Sequence, residues 1–416
     1  MPQKKLAVIG ASHFQMPLIT RAQEMGCEVH AFAWECGDVG ERAADVFHPV
    51  SIVETDQIIE ECRAAGIDGI CTIASDLATV AVCHVADALG LVGNSLDCNR
   101  VSTNKHLMRR AFERGGDPSP KSVAVRLAQP GETTATKDAV TIDPDELETF
   151  DPVSLGLTYP LIVKPVDRSG SRGITKLEAP GVPMTAGEAL REATEQGFVP
   201  EALIEEFAEG DEFSVEGISW EGTHTILAVT RKGTTGAPHF IETAHMQPPL
   251  LPEQTIERIK QVTAHALDTL GVAYGASHTE LKVAPDGTIR IIEIGARMGG
   301  DCIGSHLVPL SSGVDFVGAV VDVALGNKPD LTPAHEPAAA AIRFIFNEDD
   351  LRLYEHIRRE HADLIRYEQM TGKPDGHEVT DSSTRLGHYI LSAPHARDLA
   401  DFLPEEIAAL ARGAHA

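Results

Sequence analysis

Two apolar runs joined by a tight turn constrain this chain more than any other stretch. Thr279-Glu280-Leu281-Lys282-Val283 and Ile289-Arg290-Ile291-Ile292-Glu293-Ile294 flank Pro285-Asp286-Gly287. Such runs favour strands, and an Asp-Gly turn between them is a strong hairpin signal. The hairpin predicts Glu280 and Glu293 side by side. Two adjacent carboxylates repel at neutral pH, so the arrangement is costly unless a cation lies between them. Hard oxygen donors suit Mg²⁺ (or Mn²⁺); Mg²⁺ usually takes one or two protein carboxylates and completes its shell with water and phosphate. Arg297, just before Gly299 and Gly300, adds a fixed positive charge beside the pair.

At 416 residues the chain exceeds one ordinary core, and several subdomains are expected. A net charge of -27 argues against a nucleic-acid partner. Any anionic substrate must therefore be held by a few local cations within a repulsive field. No apolar run approaches the roughly 20 residues that span a bilayer, so no membrane association is expected. The opening Leu6-Ala7-Val8-Ile9-Gly10 reads as a first strand rather than a signal-peptide core. The seven cysteines are odd in number, widely spaced and without a C-x-x-C pair, which predicts a reducing cytoplasm with neither zinc nor disulfides.

Residues 1–98 alternate strand and helix, the pattern of a parallel sheet covered on both faces. Expected strands are Leu6–Ile9, Glu28–Phe32 and Gly69–Ala74; helices are expected over Pro17–Met25, after a Thr55 cap, and after Ser75. The turn after the first strand has one glycine where a dinucleotide fingerprint needs three, which argues against NAD. A basic helix follows from Ser102 to Arg114, and Leu127–Tyr159 reads as a long linker. Amphipathic helices are predicted over Thr255–Leu270 and Val314–Leu325, and strands over Ala338–Phe346 and His388–Leu391.

The strand Pro160–Pro165 delivers Lys164 into a loop containing Ser169, Gly170, Ser171 and Gly173. Glycines and serines there expose N–H groups and hydroxyls to an anion, although no Walker pattern is present. Next, Ala202-Leu203-Ile204 ends in Glu205-Glu206-Phe207-Ala208, turns at Gly210 and resumes with Glu212. A link of this shape offers backbone groups and an acid to an adenine edge, and a second acid to ribose hydroxyls.

Taken in order, these motifs resemble the ATP-grasp ligases over about residues 100–325. The resemblance matches an early helix lysine to Lys105, the strand lysine and glycine-rich lid to Lys164 and 169–173, and the hinge to Glu205–Ala208 with Glu212. It matches the metal acids to Glu280 and Glu293 and the catalytic arginine to Arg297. Within that superfamily the chain is similar to carboxylate–amine ligases such as dipeptide ligases and carnosine-synthase-type enzymes. There the resemblance assigns substrate contacts to Glu242, His245, His278, Arg297 and Gly300.

It implies an α/β fold: an N-terminal parallel α/β domain (1–98), a two-lobed ATP-grasp domain (99–328, lid about 120–208) and a small C-terminal α+β unit (329–416). It also implies ATP, Mg²⁺, small-molecule carboxylate and amine substrates, and an ADP-forming reaction through an acyl phosphate; a homodimer is left open. Carbamoyl or purine-pathway chemistry, or ATP binding without turnover, stays open as an alternative. One position departs from the pattern: Gly295 stands where many ATP-grasp enzymes carry Asn, which predicts a metal ligand lost or replaced by water.

Overall fold

The computed structural model describes residues 3–128, 139–170, 172–237, 240–373, 379 and 381–413. Three sheets organise it. In the first, four parallel strands run in the order Val46–His48, Glu28–Phe32, Lys5–Ile9, Gly69–Cys71. Side chains alternate across a strand, and Lys5–Ile9 divides accordingly. Leu6 and Val8 pack on one face with Leu18, Ile19 and Ala22, while Ala7 and Ile9 pack on the other with Ile58, Ala78 and Val85. The first face is also covered by Phe316–Ala324, a helix from far along the chain, which binds this unit to the rest.

The second sheet is the lid: Val140–Ile142, Ser122–Leu127, Glu201–Glu206, Leu161–Pro165 and Thr175–Leu177, in that order. Helix Ala186–Gln196 covers one face, started by Thr185 and Glu188 in a reciprocal capping box. The reading of Leu127–Tyr159 as a linker is corrected here for its second half, residues 129–138 lying outside the described residues. Asp143 and Asp151 each accept from a backbone N–H two residues on, nucleating two short 3₁₀ turns. These turns carry Leu147 into the lid core beside Ile142 and Leu157.

The third sheet is antiparallel and eight-stranded, in the order Ile289–Gly295, Gly275–Val283, Asp211–Trp220, Thr223–Thr234, Glu242–Gln247, Ala339–Ile345, Gly387–Ala393, Ile365–Met370. Its last three strands come from beyond residue 329, so the C-terminal segment continues the central sheet instead of standing as a separate small layer. Helix Glu253–Leu270 lies under the other end, with Ile259, Leu267 and Leu270 buried.

Two other local expectations shift. The expected basic helix from Ser102 is two helices, Leu96–Ser102 and Lys105–Gly115. They break where the Asn104 side chain accepts from the Leu107 N–H, making Lys105 the first helical residue. Thr55 likewise begins its helix and does not cap it, Glu54 holding that place.

Candidate active site

Glu280 and Glu293 face each other directly across the hairpin, in register. A bulge between Glu280 and Leu281 sets Leu281 opposite Ile291 and leaves Ile292 as the extra residue. A bulge re-aims the side chains beside it. Here Ile291 and Ile294 both enter the core, while Ile292 and Glu293 turn to the cleft. Lys105 Nζ donates to Glu293 at 2.8 Å and Lys232 Nζ to Glu280 at 2.7 Å, so each acid is fronted by a lysine. Lys232 also pairs with Glu212 at 2.8 Å and lies 3.7 Å from Glu242. Burial disfavours the Lys232 charge, but its three acids prevail and hold its pKa well above the ordinary value. Glu280 is held well below the carboxylate range, Lys232 and His278 outweighing burial.

His278 bridges Glu280, 3.4 Å from its Nε2, and the fully buried Glu216 at Nδ1. Burial opposes its charge, yet Glu216 raises its pKa to about 9, making it an imidazolium at neutral pH. Glu216 accepts from the Gly299 N–H at 3.1 Å as well. A side chain at 299 would stand 2.6 Å from His278 Nδ1, so this close approach requires glycine.

Arg297 forks onto Asp76 of the N-terminal unit, Nε to Oδ1 at 2.8 Å and Nη2 to Oδ2 at 2.9 Å. Glu205, expected to offer an acid to the nucleotide, lines the narrower slot described below but is already engaged by two cations. Its carboxylate lies between Lys164 and Arg109, all three buried. Glu206 accepts from the Thr158 N–H and is absent from the cleft lining. Phe207 is clasped by Lys176 and Lys282, at 4.1 and 4.7 Å from its ring.

Asp76, Lys105, Lys232, His278, Glu280, Glu293 and Arg297 line a cleft of about 1100 Å³ between the sheets. A narrower slot of about 150 Å³ shares Lys105, Ser169, Gly170, Lys232, Glu242, Glu280 and Glu293 with it, and its walls also include Ile162, Lys164, Ile174, Glu205, Phe207, Ala208, Glu212, Lys282 and Ile292. The apolar part of that wall, Ile162, Ile174, Phe207 and Ile292, beside the lysines, suits a nucleotide base. Gly173 lines neither space but takes φ +68°, turning the loop, and Ser171 lies outside the described residues. The end of the cleft beside Asp301 is lined by His245 and Gly300, while Glu242 lines both cleft and slot. Ser382 donates to Glu242 at 2.9 Å; His245 is 1% exposed, with its Nε2 3.8 Å from Asp301. Asp301 and Arg385 close this end as an ion pair at 2.7 Å, and Arg385 holds the Asp301 pKa far below normal against burial.

Asp76, Arg109, Glu216, Lys232, Asp301 and Arg385 were not singled out by the sequence. For Glu216 a signal existed: it shares a strand face with Glu212 at period two. The donor set also fits a transient metal. Among the described residues no cluster of three or more His, Cys, Asp or Glu forms a cage. Two carboxylates alone suit a divalent ion that brings phosphate oxygens with it.

Residues 157–305 match the family model of the ATP-grasp domain. The chain is 27% identical to alanine–anticapsin ligase of Bacillus subtilis over 323 residues, 69% of this chain and 63% of that protein. It is 35% identical to human carnosine synthase 1 over 146 residues, 35% of this chain and 17% of that protein. The first curated relatives it matches are spanned over 51–63% of their length. Its fold is that of L-amino acid ligase from Bacillus licheniformis, with a TM-score of 0.75 over 97% of both chains at 23% identity. Among the described residues no single helix is long and apolar enough to cross a membrane.

Proposed function

We propose that this chain is an ATP-dependent, ADP-forming ligase that joins a carboxylate to an amine, at least one of them an amino acid, through an acyl phosphate. The reading rests above all on the opposed Glu280 and Glu293, each with its own lysine, where a narrow slot meets a large cleft. The names of the ligase relatives favour the same reading. Phosphoryl transfer asks the protein for positioning and charge neutralisation more than for covalent help.

Lys105, Lys164 and Lys232 are among the cations that line the slot, and Arg168, Ser169, Gly170 and Arg172 line it from the loop. In the proposed reaction the lysines hold the phosphates, and the loop excludes water that would hydrolyse the intermediate. Glu280 and Glu293 would hold Mg²⁺, which when bound neutralises phosphate charge. Arg297 lies on the cleft side of this group and takes the charge of the transferring phosphoryl. The substrate carboxylate oxygen bonds to the γ-phosphorus as ADP departs; the amine nitrogen then bonds to the carbonyl carbon as phosphate leaves. Glu242 would hold an ammonium group, and His245, buried beside Asp301, would hydrogen-bond a substrate oxygen.

The test is a pairwise screen of amino acids and amines, read as phosphate release together with product mass. One pair giving ADP, phosphate and an amide in equal amounts is expected; ATP consumed without any amide across the screen overturns the reading. Arg297→Ala should abolish amide formation while ADP still binds.

A further inference from the structure

We propose that Asp76, supplied by the N-terminal unit, is a positioning residue for Arg297, and that Gly295 is the notch that admits it. The inference rests on the role just given to Arg297. Three observations carry it. First, Asp76 meets Arg297 through a two-point fork, and Arg297 Nη1 donates to the Met298 carbonyl at 3.1 Å, so the guanidinium plane is fixed at three nitrogens. A planar fork on a carboxylate fixes orientation as well as charge.

Second, the backbone around Asp76 is bent to deliver it. Ala74 takes φ 59°, a region L-residues seldom occupy, while its N–H donates to the Met298 carbonyl at 3.1 Å and Ile73 bridges Met298. Ser75 then caps helix Asp76–Leu89 by accepting from Ala78, leaving Asp76 at the first helical position, aimed at the cleft. Third, residue 295 is hollowed for the carboxylate. A Cβ there would lie 2.8 Å from Asp76 Oδ1 and 3.3 Å from Arg297 Nε, so any side chain at 295 collides with the pair. The missing side chain on the hairpin and the acid arriving from another unit occupy one space.

This makes a compensation testable. Asp76→Ala, Asp76→Asn, Gly295→Asn and the double variant Asp76→Ala/Gly295→Asn are compared for kcat, KM for ATP, ADP binding and melting temperature. Asp76→Ala should lower kcat about 10²-fold, the scale of one lost preorganised contact, with ADP binding within about threefold of wild type. In the double variant the asparagine enters the vacated space and its carbonyl oxygen accepts from Arg297, which should restore kcat roughly tenfold over Asp76→Ala. Gly295→Asn alone should be slower than the double variant.

A merely structural Asp76 predicts the opposite ordering, with the double variant slower than either single. That ordering, or an Asp76→Ala enzyme with kcat near wild type, overturns the proposal. If Asp76→Ala does not fold, Asp76→Asn decides: it keeps one acceptor and its shape, so unchanged kcat counts against positioning and a fall with intact ADP binding supports it. If wild type cleaves ATP yet forms no amide with any pair, the ligase reading fails by itself, and the variants are compared on ATP cleavage with the same outcomes deciding.

Discussion

Lysine meets glutamate in two regions beside this cleft, with opposite physical consequences. In the lid, Lys164 and Glu205 are each 4% exposed at the side chain and Arg109 seals the far side. In the hairpin, Lys105 and Lys232 are equally sheltered, but Glu293 and Glu280 keep 24% and 27% of their side chains open. The lid pair lines the slot but already has its partners in place. Burial lowers the Lys164 pKa and opposes the Glu205 charge, and Arg109 with Lys164 holds Glu205 ionised. The hairpin acids instead present free oxygens to the cleft, where an arriving cation can take over from the lysines. The same two residue types thus make a fixture in one place and an exchangeable charge site in the other, and access decides which.

The largest effect expected from this difference is on stability. Glu205→Ala strands two buried cations against each other, and breaking a buried pair in this way costs about 3–5 kcal/mol. Chemical denaturation should show the loss; stability like wild type would remove the distinction. Glu293→Gln should do the reverse. It relieves repulsion in an open site, so the denaturation midpoint should hold, while kcat falls by roughly 10²–10³, or about 3–4 kcal/mol in the barrier. A variant that loses stability but keeps its rate would make the hairpin a second fixture.

The contrast also explains how far the sequence could be read. The facing of Glu280 and Glu293 follows from local chemistry, an Asp-Gly turn between apolar runs, and the structure pairs them directly. The capping of the helix after Ser75 follows from equally local signals. The bulge that sends Ile292 and Glu293 to the same side does not, because it depends on how the hairpin seats against helix Lys105–Gly115. Glu205 looked like a free acid because its cation, Arg109, lies 96 residues away. Lys232 was a single lysine on an apolar strand, indistinguishable from a surface one until three acids converge on it. Gly295 is the sharpest case: in the sequence it reads as a missing ligand, and in the structure it is the space that Asp76, 221 residues distant from Arg297, requires. The joining of the C-terminal strands to the central sheet was hidden for the same reason, since edge pairing between distant segments leaves no local mark.

His278 lies between the two regimes, buried but touching the open Glu280. Its pKa is raised from 6.5 to about 9, so the stability it contributes is complete below pH 6.5 and lost as pH climbs through 9. The span corresponds to roughly 3 kcal/mol at most. Wild type should therefore weaken between pH 6.5 and 9.5, and His278→Asn, less stable throughout, should show a flatter profile over that window. An equally steep profile in the variant would place the titration elsewhere.

The smallest expected effect separates a fixture from an exchangeable site most directly. Mg²⁺ alone must displace Lys105 and Lys232 without phosphate oxygens to complete its shell, so it should barely raise the melting temperature of the free protein. With ADP present, the phosphates supply those oxygens and give the lysines new partners. Stabilisation of about 2.7 kcal/mol is then expected when the ligand stands at a hundred times its Kd. Glu280→Gln/Glu293→Gln should bind ADP and lose the Mg²⁺ increment, whereas Arg297→Ala should keep it, its guanidinium being tied to Asp76 and not to the hairpin acids. If Mg²⁺ stabilises the protein equally with and without ADP, the hairpin is a resident metal site that the lysines only cover.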